Sequence, residues 1–325
     1  MQTNLKGKDF IATQDWAKDE LETVFQLARE LKLARATGKP TPYLTAKTLY
    51  MLFFEESTRT RNSFETGITQ LGGHGIFLTP DKMQINHGES ARDTAQVLSR
   101  YGDGIAVRNC FYGEGNQLLR EIAENASVPI FSMQCDIWHP CQIMADLMTI
   151  REKFGDNTRG LKLGVAWTCA PNYLRPLSVP QSLIALMPRF GIDVTLAYPP
   201  EFKLMPHTEE LARKNADEAG SKFEISHSFE DAFTDADVVI PKSWGPHIHT
   251  RNKEEGLALI EKYPTWVCDA ERMALGKKHI KYMHPLPADR GREVTNEVID
   301  GPQSIVYDQA ENRLHVQKAL MALTM

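Results

Sequence analysis

Hydroxyl and guanidinium side chains occupy five consecutive residues of this sequence. Ser57, Thr58 and Thr60 supply the hydroxyls, and Arg59 and Arg61 supply the guanidiniums. Both groups donate hydrogen bonds to anions, and an arginine can bind an oxyanion through two parallel bonds. The segment is therefore a candidate anion site, although an ordinary helix cap with solvated arginines would use the same residue types.

An apolar strand and an amphipathic helix are predicted on either side of this segment. Residues 48–54 form an apolar, aromatic run that is typical of a buried parallel strand. After the segment, Phe64 and Ile68 recur at helical spacing before a Gly-Gly pair. Ser57 is then the N-cap residue, where unpaired backbone N–H groups and the helix dipole favour an anion.

Further polar side chains follow other predicted strands. Arg108 ends a strand predicted at 104–108, and His139 and Gln142 follow a strand predicted at 128–133. Ligands of open α/β sheets bind at the carboxyl ends of the strands. The imidazole and the amide could both donate to a carbonyl oxygen, although His139 could instead be a structural cap.

Strand and helix patterns alternate along the chain, which predicts an α/β fold with two doubly wound parallel-sheet domains. The polar segment 155–160 is the predicted break between domains, which gives domains at 1–154 and 155–309.

A terminal helix at 310–325 is predicted to pack back on the first domain. The first helix is predicted to be capped by Thr13 or Asp15. The strands predicted in the second half are 161–167, 193–198, 223–225, 238–240, 266–268 and 281–283.

Composition and charge describe an ordinary globular chain of 325 residues, with 42% hydrophobic residues and a net charge of −5. This charge gives no basis for binding nucleic acid or an anionic membrane. No apolar run approaches the roughly 20 residues that a spanning helix needs. The five cysteines include no CxxC pair, which favours a reducing compartment. We therefore expect a cytoplasmic protein without nucleic-acid or membrane partners.

The motifs occur in the order found in the aspartate/ornithine carbamoyltransferases, and the sequence resembles that family along its whole length. The matching residues are Ser57, Thr58, Arg59 and Thr60, then Gln84, 88–90, Arg108, 139–142, 284–287 and 311–313. The resemblance implies transfer of the carbamoyl group of carbamoyl phosphate to an amine, with release of phosphate. It implies no metal and no organic cofactor.

The same resemblance implies a role for each matching residue. Ser57, Thr58, Arg59 and Thr60 are expected to hold the phosphate, while Thr60, Arg108 and His139 donate to the carbonyl oxygen. Gln142 is expected to hold the carbamoyl amino group. Pro285 and Leu286 are expected to offer main-chain carbonyls to carbamoyl phosphate, and Arg313 completes its shell. Gln84 is expected to reach the site of a neighbouring subunit, which implies a homotrimer with shared sites.

The amine acceptor is less well specified. The proline-rich loop 171–180 and the segments 242–245 and 311–319 resemble the knotted branch of the family, which includes N-acetylornithine and N-succinylornithine enzymes and an uncharacterised transcarbamylase group. The family's knot is accordingly expected around 170–182 and 242–250. Pro285 stands where ornithine enzymes usually carry cysteine. Asp289 stands where acetylornithine enzymes carry an arginine for the substrate carboxylate, which weakens an acyl-ornithine assignment.

An acceptor of ornithine or ornithine-derivative type is expected, and its binding residues are predicted to be Lys242, Trp244, Arg290 and Arg175. A ureido or diamino acid remains an alternative acceptor. A non-catalytic carbamoyl-phosphate-binding or regulatory subunit is a further alternative, although the complete set of oxyanion donors argues against it. The pair His247 and His249 has no third ligand nearby in sequence, so a metal site is not expected.

Overall fold

The computed structural model describes residues 4–325 and shows parallel strands flanked by helices. The strands are β1 Thr48–Phe53, β2 His74–Leu78, β3 Gly104–Asn109, β4 Ile130–Cys135, β5 Lys162–Ala166, β6 Asp193–Ala197, β7 Phe223–Ser226, β8 Val238–Pro241 and β9 Lys281–Tyr282. The helices are α1 Lys18–Ala36, α2 Thr58–Gln70, α3 Ala91–Tyr101, α4 Gly115–Asn125, α5 Pro140–Phe154, α6 Ser178–Leu186, α7 Pro206–Ala219, α8 Lys253–Ile260, α9 Ala270–Met273, α10 Asn296–Ile299 and α11 Val306–Thr324. Across residues 4–325, no helix is both long and apolar enough to cross a membrane.

The chain divides into two compact units, each built on one parallel sheet. The first unit is Met1–Ala145 with Ala310–Met325, and the second is Asp146–Gln309. The strand order is β2-β1-β3-β4 in the first sheet and β7-β6-β5-β8-β9 in the second. This arrangement confirms the predicted fold class of two parallel-sheet α/β domains. The assignment of one ligand to each domain stays a prediction.

The predicted junction of strand, cap and helix is confirmed at the start of α2. Strand β1 is almost wholly buried, as expected for a parallel strand with both faces covered. The Ser57 hydroxyl oxygen accepts a hydrogen bond from the Thr60 N–H at 3.3 Å, so Ser57 is the N-cap residue. The apolar side chains Phe64 and Ile68 of α2 are buried.

Helix α11 contacts α1 and α2 within the first unit. The Arg313 guanidinium donates to the Thr60 hydroxyl at 2.7 Å, and Lys318 Nζ donates to Gln70 Oε1 at 3.0 Å. Lys32 of α1 donates to the Asn312 side-chain oxygen at 2.8 Å. The bond from Arg313 places the last helix of the chain against Thr60 of the anion-binding segment.

Two local predictions are wrong. Residues 266–268 do not form a strand, because Cys268 makes only an isolated bridge to Val294. Helix α1 begins at Lys18, after a short 3₁₀ turn at Thr13–Asp15. The Ala17 N–H at its start donates to the Glu20 carboxylate at 2.7 Å, so Glu20 serves the helix terminus instead of Thr13 or Asp15.

The two segments expected to form a knot contact each other in the second unit. The Gly245 N–H donates to the Arg175 carbonyl at 2.9 Å. A Cβ at Gly245 would lie 1.9 Å from the Tyr173 carbonyl oxygen, so only glycine permits this approach. The knot itself stays a prediction.

A close backbone approach at Gly164 gives a stability prediction. A Cβ at this position in β5 would lie 1.8 Å from the Ala232 carbonyl oxygen. Because backbone must move, we expect Gly164→Ala to lower the free energy of unfolding by about 1–3 kcal/mol, measured by chemical denaturation. Gly75→Ala in β2 is the control, because its nearest neighbour is the flexible end of Met51 at 3.1 Å. Equal stability of the two variants would show that the approach is not tight.

Candidate active site

The carboxyl edge of the first sheet brings the anion-binding segment and Arg108 together. Strands β1 and β3 are parallel neighbours, and Phe53 is paired with Arg108. The Phe54 N–H donates to the Arg108 carbonyl at 2.9 Å. The chain then turns at Ser57 into α2. Both sequence motifs therefore reach the same edge because their strands are adjacent and in register.

Arg108 leaves β3 at an irregularity in the sheet. The pairing of β3 with β4 shifts register between Val107 and Arg108, and such a shift can re-aim a side chain. One terminal nitrogen of Arg108 donates to the Gln134 side-chain oxygen. Its Nε is buried without a hydrogen-bond partner.

Arg59 lies close enough to Arg108 for the two charges to interact. Burial lowers the pKa of Arg59, and the nearby positive charge of Arg108 lowers it further. The Nε of Arg59 is also buried without a hydrogen-bond partner. Two neighbouring guanidiniums with unused donors form a site that an anion would stabilise by supplying both charge and acceptors.

Thr60 is oriented by Arg313 from α11. Both side chains are buried, and the Arg313 guanidinium donates to the Thr60 hydroxyl oxygen at 2.7 Å. A hydroxyl that accepts from a guanidinium keeps its own hydrogen for another acceptor. Thr60 is thus left as a hydrogen-bond donor at the N-terminus of α2.

His139 is a buried imidazole close enough to Arg313 and Arg108 for their charges to affect it. Burial lowers its pKa well below the ordinary value, and the charges of Arg313 and Arg108 lower it further. A neutral imidazole keeps one N–H donor. Gln142, fully buried, follows one turn later in α5. The first unit therefore brings together Arg59, Thr60, Arg108, His139 and Arg313, and their roles toward a ligand stay a prediction.

An open cavity lies beside the N-terminus of α2. It has a volume of about 990 Å³, and its lining includes Ser57, Thr58, Arg61 and Phe77. The Arg61 guanidinium lies 3.8 Å from the centroid of the Phe77 ring and pairs with Glu65 at 3.2 Å. Arg61 is thus already engaged, which leaves Arg59 as the better candidate for anion binding.

Gln84 lies in an exposed turn of the first unit. Its side-chain oxygen is 3.3 Å from His87 Nδ1. The predicted reach of Gln84 to a neighbouring subunit stays a prediction.

Glu55 is a residue at this edge that sequence reasoning missed. Its carboxylate accepts the Cys110 N–H at 2.8 Å, and its other oxygen is buried without a hydrogen-bond partner. Burial raises the pKa of Glu55 above its ordinary value. The side chain ties the chain after β1 to the chain after β3. Its position directly after a predicted strand was the available signal.

The predicted acceptor residues of the second unit divide into two groups. Arg175 pairs with Asp289 and Glu293, and Lys242 Nζ lies 3.8 Å from Glu293, so these two cations share one cluster. The remaining two are engaged elsewhere. Trp244 is buried and its indole N–H donates to the Phe202 carbonyl at 2.6 Å, while Arg290 pairs with Asp300 at 2.6 Å.

The turn after β9 carries Pro285 and Leu286. The Leu286 N–H donates to His284 Nδ1 at 2.9 Å, and Leu286 has a left-handed φ of 55°. Because Nδ1 accepts this bond, Nε2 of the neutral imidazole carries the hydrogen. The turn is thereby fixed by its own histidine, with Pro285 buried.

The sequence matches two family models, one for each half of the chain. Residues 8–152 match the carbamoyl-P binding domain of aspartate/ornithine carbamoyltransferase, and residues 176–324 match its Asp/Orn binding domain. The ornithine carbamoyltransferase of Carboxydothermus hydrogenoformans is 40% identical over 323 residues, which cover 99% of both chains. The chain belongs to the aspartate/ornithine carbamoyltransferase family.

Two further relatives carry other names and are similar to this chain over nearly its whole length. The putative carbamoyltransferase YgeW of Escherichia coli is 36% identical, and the match covers 99% of this chain and 90% of that protein. A solved structure of acetylornithine transcarbamylase complexed with acetylcitrulline is 35% identical, with a TM-score of 0.90. The match covers 97% of this chain and 98% of that structure. The family assignment made from the motifs is therefore confirmed.

Proposed function

We propose that this protein transfers the carbamoyl group of carbamoyl phosphate to the amino group of ornithine or an ornithine derivative. The observation that carries the proposal is the cluster of Arg59, Thr60, Arg108, His139 and Arg313 in the first unit. These donors suit a phosphate at a helix N-terminus and a carbonyl oxygen beside it. The names of the relatives, ornithine carbamoyltransferase and acetylornithine transcarbamylase, support this class of acceptor.

The proposed reaction has one bond-forming and one bond-breaking step. The neutral amine attacks the carbonyl carbon, and the carbonyl oxygen becomes an oxyanion that Thr60, Arg108 and His139 stabilise. The bond between that carbon and the phosphate oxygen then breaks. The leaving phosphate is held at Ser57, Thr58, Arg59 and Thr60, and it accepts the proton that the amine loses. Donors preorganised toward a developing oxyanion typically contribute about 3–4 kcal/mol each.

We also propose a division of labour between the two units. The first unit holds carbamoyl phosphate, with Gln142 on its amino group, and the second unit binds the acceptor. The descriptions of the two matched family domains support this division. Pro285 and Leu286 offer main-chain carbonyls, and Lys242 and Arg175 are the acceptor residues best supported by their shared cluster. Arg290 would first have to leave its pair with Asp300.

We propose a homotrimer in the cytoplasm. The exposed position of Gln84 is compatible with a contact to the site of a neighbouring subunit. All five cysteines are free thiols, which suits a reducing compartment.

The proposal is tested by measuring phosphate release from carbamoyl phosphate with a panel of amines. The panel contains L-ornithine, N-acetyl- and N-succinyl-L-ornithine, putrescine, aspartate and diaminopropionate, with ureido acids as a further class. We expect one ornithine-type amine to accelerate release and to gain one carbamoyl group by mass spectrometry. Binding of carbamoyl phosphate without acceleration by any amine would instead favour a non-catalytic binding subunit.

A further inference from the structure

A buried carboxylate organises the cluster that contains Lys242 and Arg175. We propose that Glu293 is a positioning residue of the acceptor site, where it holds Lys242, Arg175 and the turn after His284 in one arrangement. This inference rests on the carbamoyl transfer proposed above, because that reaction requires an acceptor site. Glu293 itself is not expected to touch the reacting atoms.

The Glu293 carboxylate is fully buried and receives hydrogen bonds from separate segments of the second unit. Its Oε1 accepts the Ser243 N–H at 2.7 Å, and its Oε2 accepts the Asp289 N–H at 2.8 Å. The Thr168 hydroxyl and His284 Nε2 each lie 3.4 Å from Oε1. One side chain therefore connects the chain after β5, after β8 and after β9.

These connected segments meet where a ligand is expected. Strands β5, β8 and β9 are adjacent in the second sheet, and the segments follow their carboxyl ends. That edge is the ligand-binding edge of open α/β sheets. Glu293 thus fixes the backbone that presents Lys242 and the turn that carries Pro285 and Leu286.

Every neighbour of the carboxylate is a hydrogen-bond donor. Ser243 and Asp289 donate from backbone N–H groups to opposite oxygens, and His284 presents its Nε2 hydrogen. A glutamine would turn its NH₂ group toward one of the two backbone N–H groups. Because two donors cannot bond each other, the site requires a carboxylate and not merely a side chain of this shape.

The cluster also balances charge. Arg175 Nη1 lies 3.4 Å and Lys242 Nζ lies 3.8 Å from Glu293, and Asp289 pairs with the other end of Arg175. The pKa of Lys242 is lowered to about 8, mainly by burial and in part by the positive charge of Arg175. The negative charges of Glu293 and Asp289 act in the opposite direction and raise it. Burial alone would raise the pKa of Glu293, but Lys242, His284 and Arg175 hold it well below the ordinary value. At neutral pH the carboxylate is ionised and the Lys242 amine is mostly protonated.

The first test replaces Glu293 with glutamine and follows Lys242 directly. Removing the negative charge should lower the pKa of Lys242, so more of the amine is neutral at pH 7. We expect the rate of Lys242 acetylation by acetic anhydride at pH 7 to rise at least about threefold, as measured by peptide mass spectrometry across pH. Hydrogen exchange at the Ser243 and Asp289 amides should accelerate at least about tenfold.

The matched control is Glu261→Gln. Glu261 also pairs with an arginine, Arg292, at 2.7 Å, but its side chain is mostly exposed. This variant should leave Lys242 labelling and both amide exchange rates unchanged. Glu293→Asp keeps the charge but shortens the side chain. It should therefore accelerate hydrogen exchange at both amides, but it should change the pH dependence of Lys242 acetylation less than Glu293→Gln does.

Activity provides the second readout. For the amine that the panel identifies, Glu293→Gln should raise KM at least about tenfold. Because Glu293 also holds the turn of Pro285 and Leu286, which are expected to offer carbonyls to carbamoyl phosphate, the Kd of carbamoyl phosphate should rise too, but by a smaller factor. A larger change for carbamoyl phosphate than for the amine would overturn the assignment to the acceptor site.

Lys242 labelling and amide exchange do not require catalysis, so they test Glu293 even if the wild-type protein transfers no carbamoyl group. Failure of the positioning role can therefore be distinguished from failure of the proposed carbamoyl transfer. If a folded Glu293→Gln protein shows the same Lys242 acetylation rate and the same amide exchange rates as the wild type, the positioning role is overturned. If that variant does not fold, unchanged exchange in Glu293→Asp would overturn it equally.

Discussion

Arg59→Ala should weaken the binding of carbamoyl phosphate at least about 100-fold, or roughly 2.7 kcal/mol. Arg59 stands in the first turn of α2 with a buried, unpartnered Nε, close to the charge of Arg108. A charge-assisted contact to a phosphate contributes about 1.5–3 kcal/mol per bond, and a guanidinium can make two. Isothermal titration calorimetry measures the loss, and thermal unfolding checks that the fold is retained.

Arg61→Ala is the matched control for Arg59→Ala. It removes a guanidinium from the same helical turn, but this one is already engaged by Glu65 and the face of Phe77. Its affinity for carbamoyl phosphate should stay close to that of the wild type. If Arg59→Ala binds within about threefold of wild type, under roughly 0.7 kcal/mol, the anion site is wrongly placed.

His139→Ala should lower kcat about 10²- to 10³-fold. The imidazole is buried beside Arg108 and Arg313, where it is neutral and carries one N–H. Loss of one preorganised donor to a developing oxyanion typically has an effect of this size. The effect is measured with saturating carbamoyl phosphate and the amine identified by the panel.

A conservative variant and the pH dependence separate this role from simple packing. His139→Asn keeps a neutral N–H donor, so it should recover part of the activity that His139→Ala loses. Because the pKa of His139 lies well below its ordinary value, protonation of this imidazole should cause no loss of kcat between pH 8 and pH 6. A loss of kcat with a midpoint near pH 6.5 that disappears in His139→Asn would contradict the assignment of His139 as a neutral imidazole.

The local parts of the fold and of the site could be predicted because the sequence patterns that determine them lie within a few consecutive residues. The apolar run before Ser57 and the helical spacing of Phe64 and Ile68 are determined within one strand, one turn and one helix. The meeting of this turn with Arg108 follows from the parallel order of adjacent strands. Such predictions need only periodicity and the rule that ligands bind at the carboxyl edge.

Long-range contacts could not be derived from spacing. Arg313 was assigned to the site by family resemblance, since no local pattern brings it to Thr60 from the far end of the chain. Glu293 was missed because its donors come from several loops that only the folded sheet assembles. The cap of α1 was misassigned because Glu20, which also pairs with Lys8, took the place of the expected Thr13 or Asp15.

Carbamoyl transfer is tested most directly with carbamoyl phosphate labelled at its carbonyl carbon with ¹³C. The labelled compound is incubated with the wild-type protein and L-ornithine or N-acetyl-L-ornithine, and ¹³C nuclear magnetic resonance follows the label. We expect a new ureido carbonyl signal in the amine product, formed in the same amount as released phosphate. Protein-dependent release of phosphate, above the spontaneous breakdown of carbamoyl phosphate in a sample without protein, with the label appearing only as bicarbonate would identify a hydrolase and contradict transfer to an ornithine-type amine.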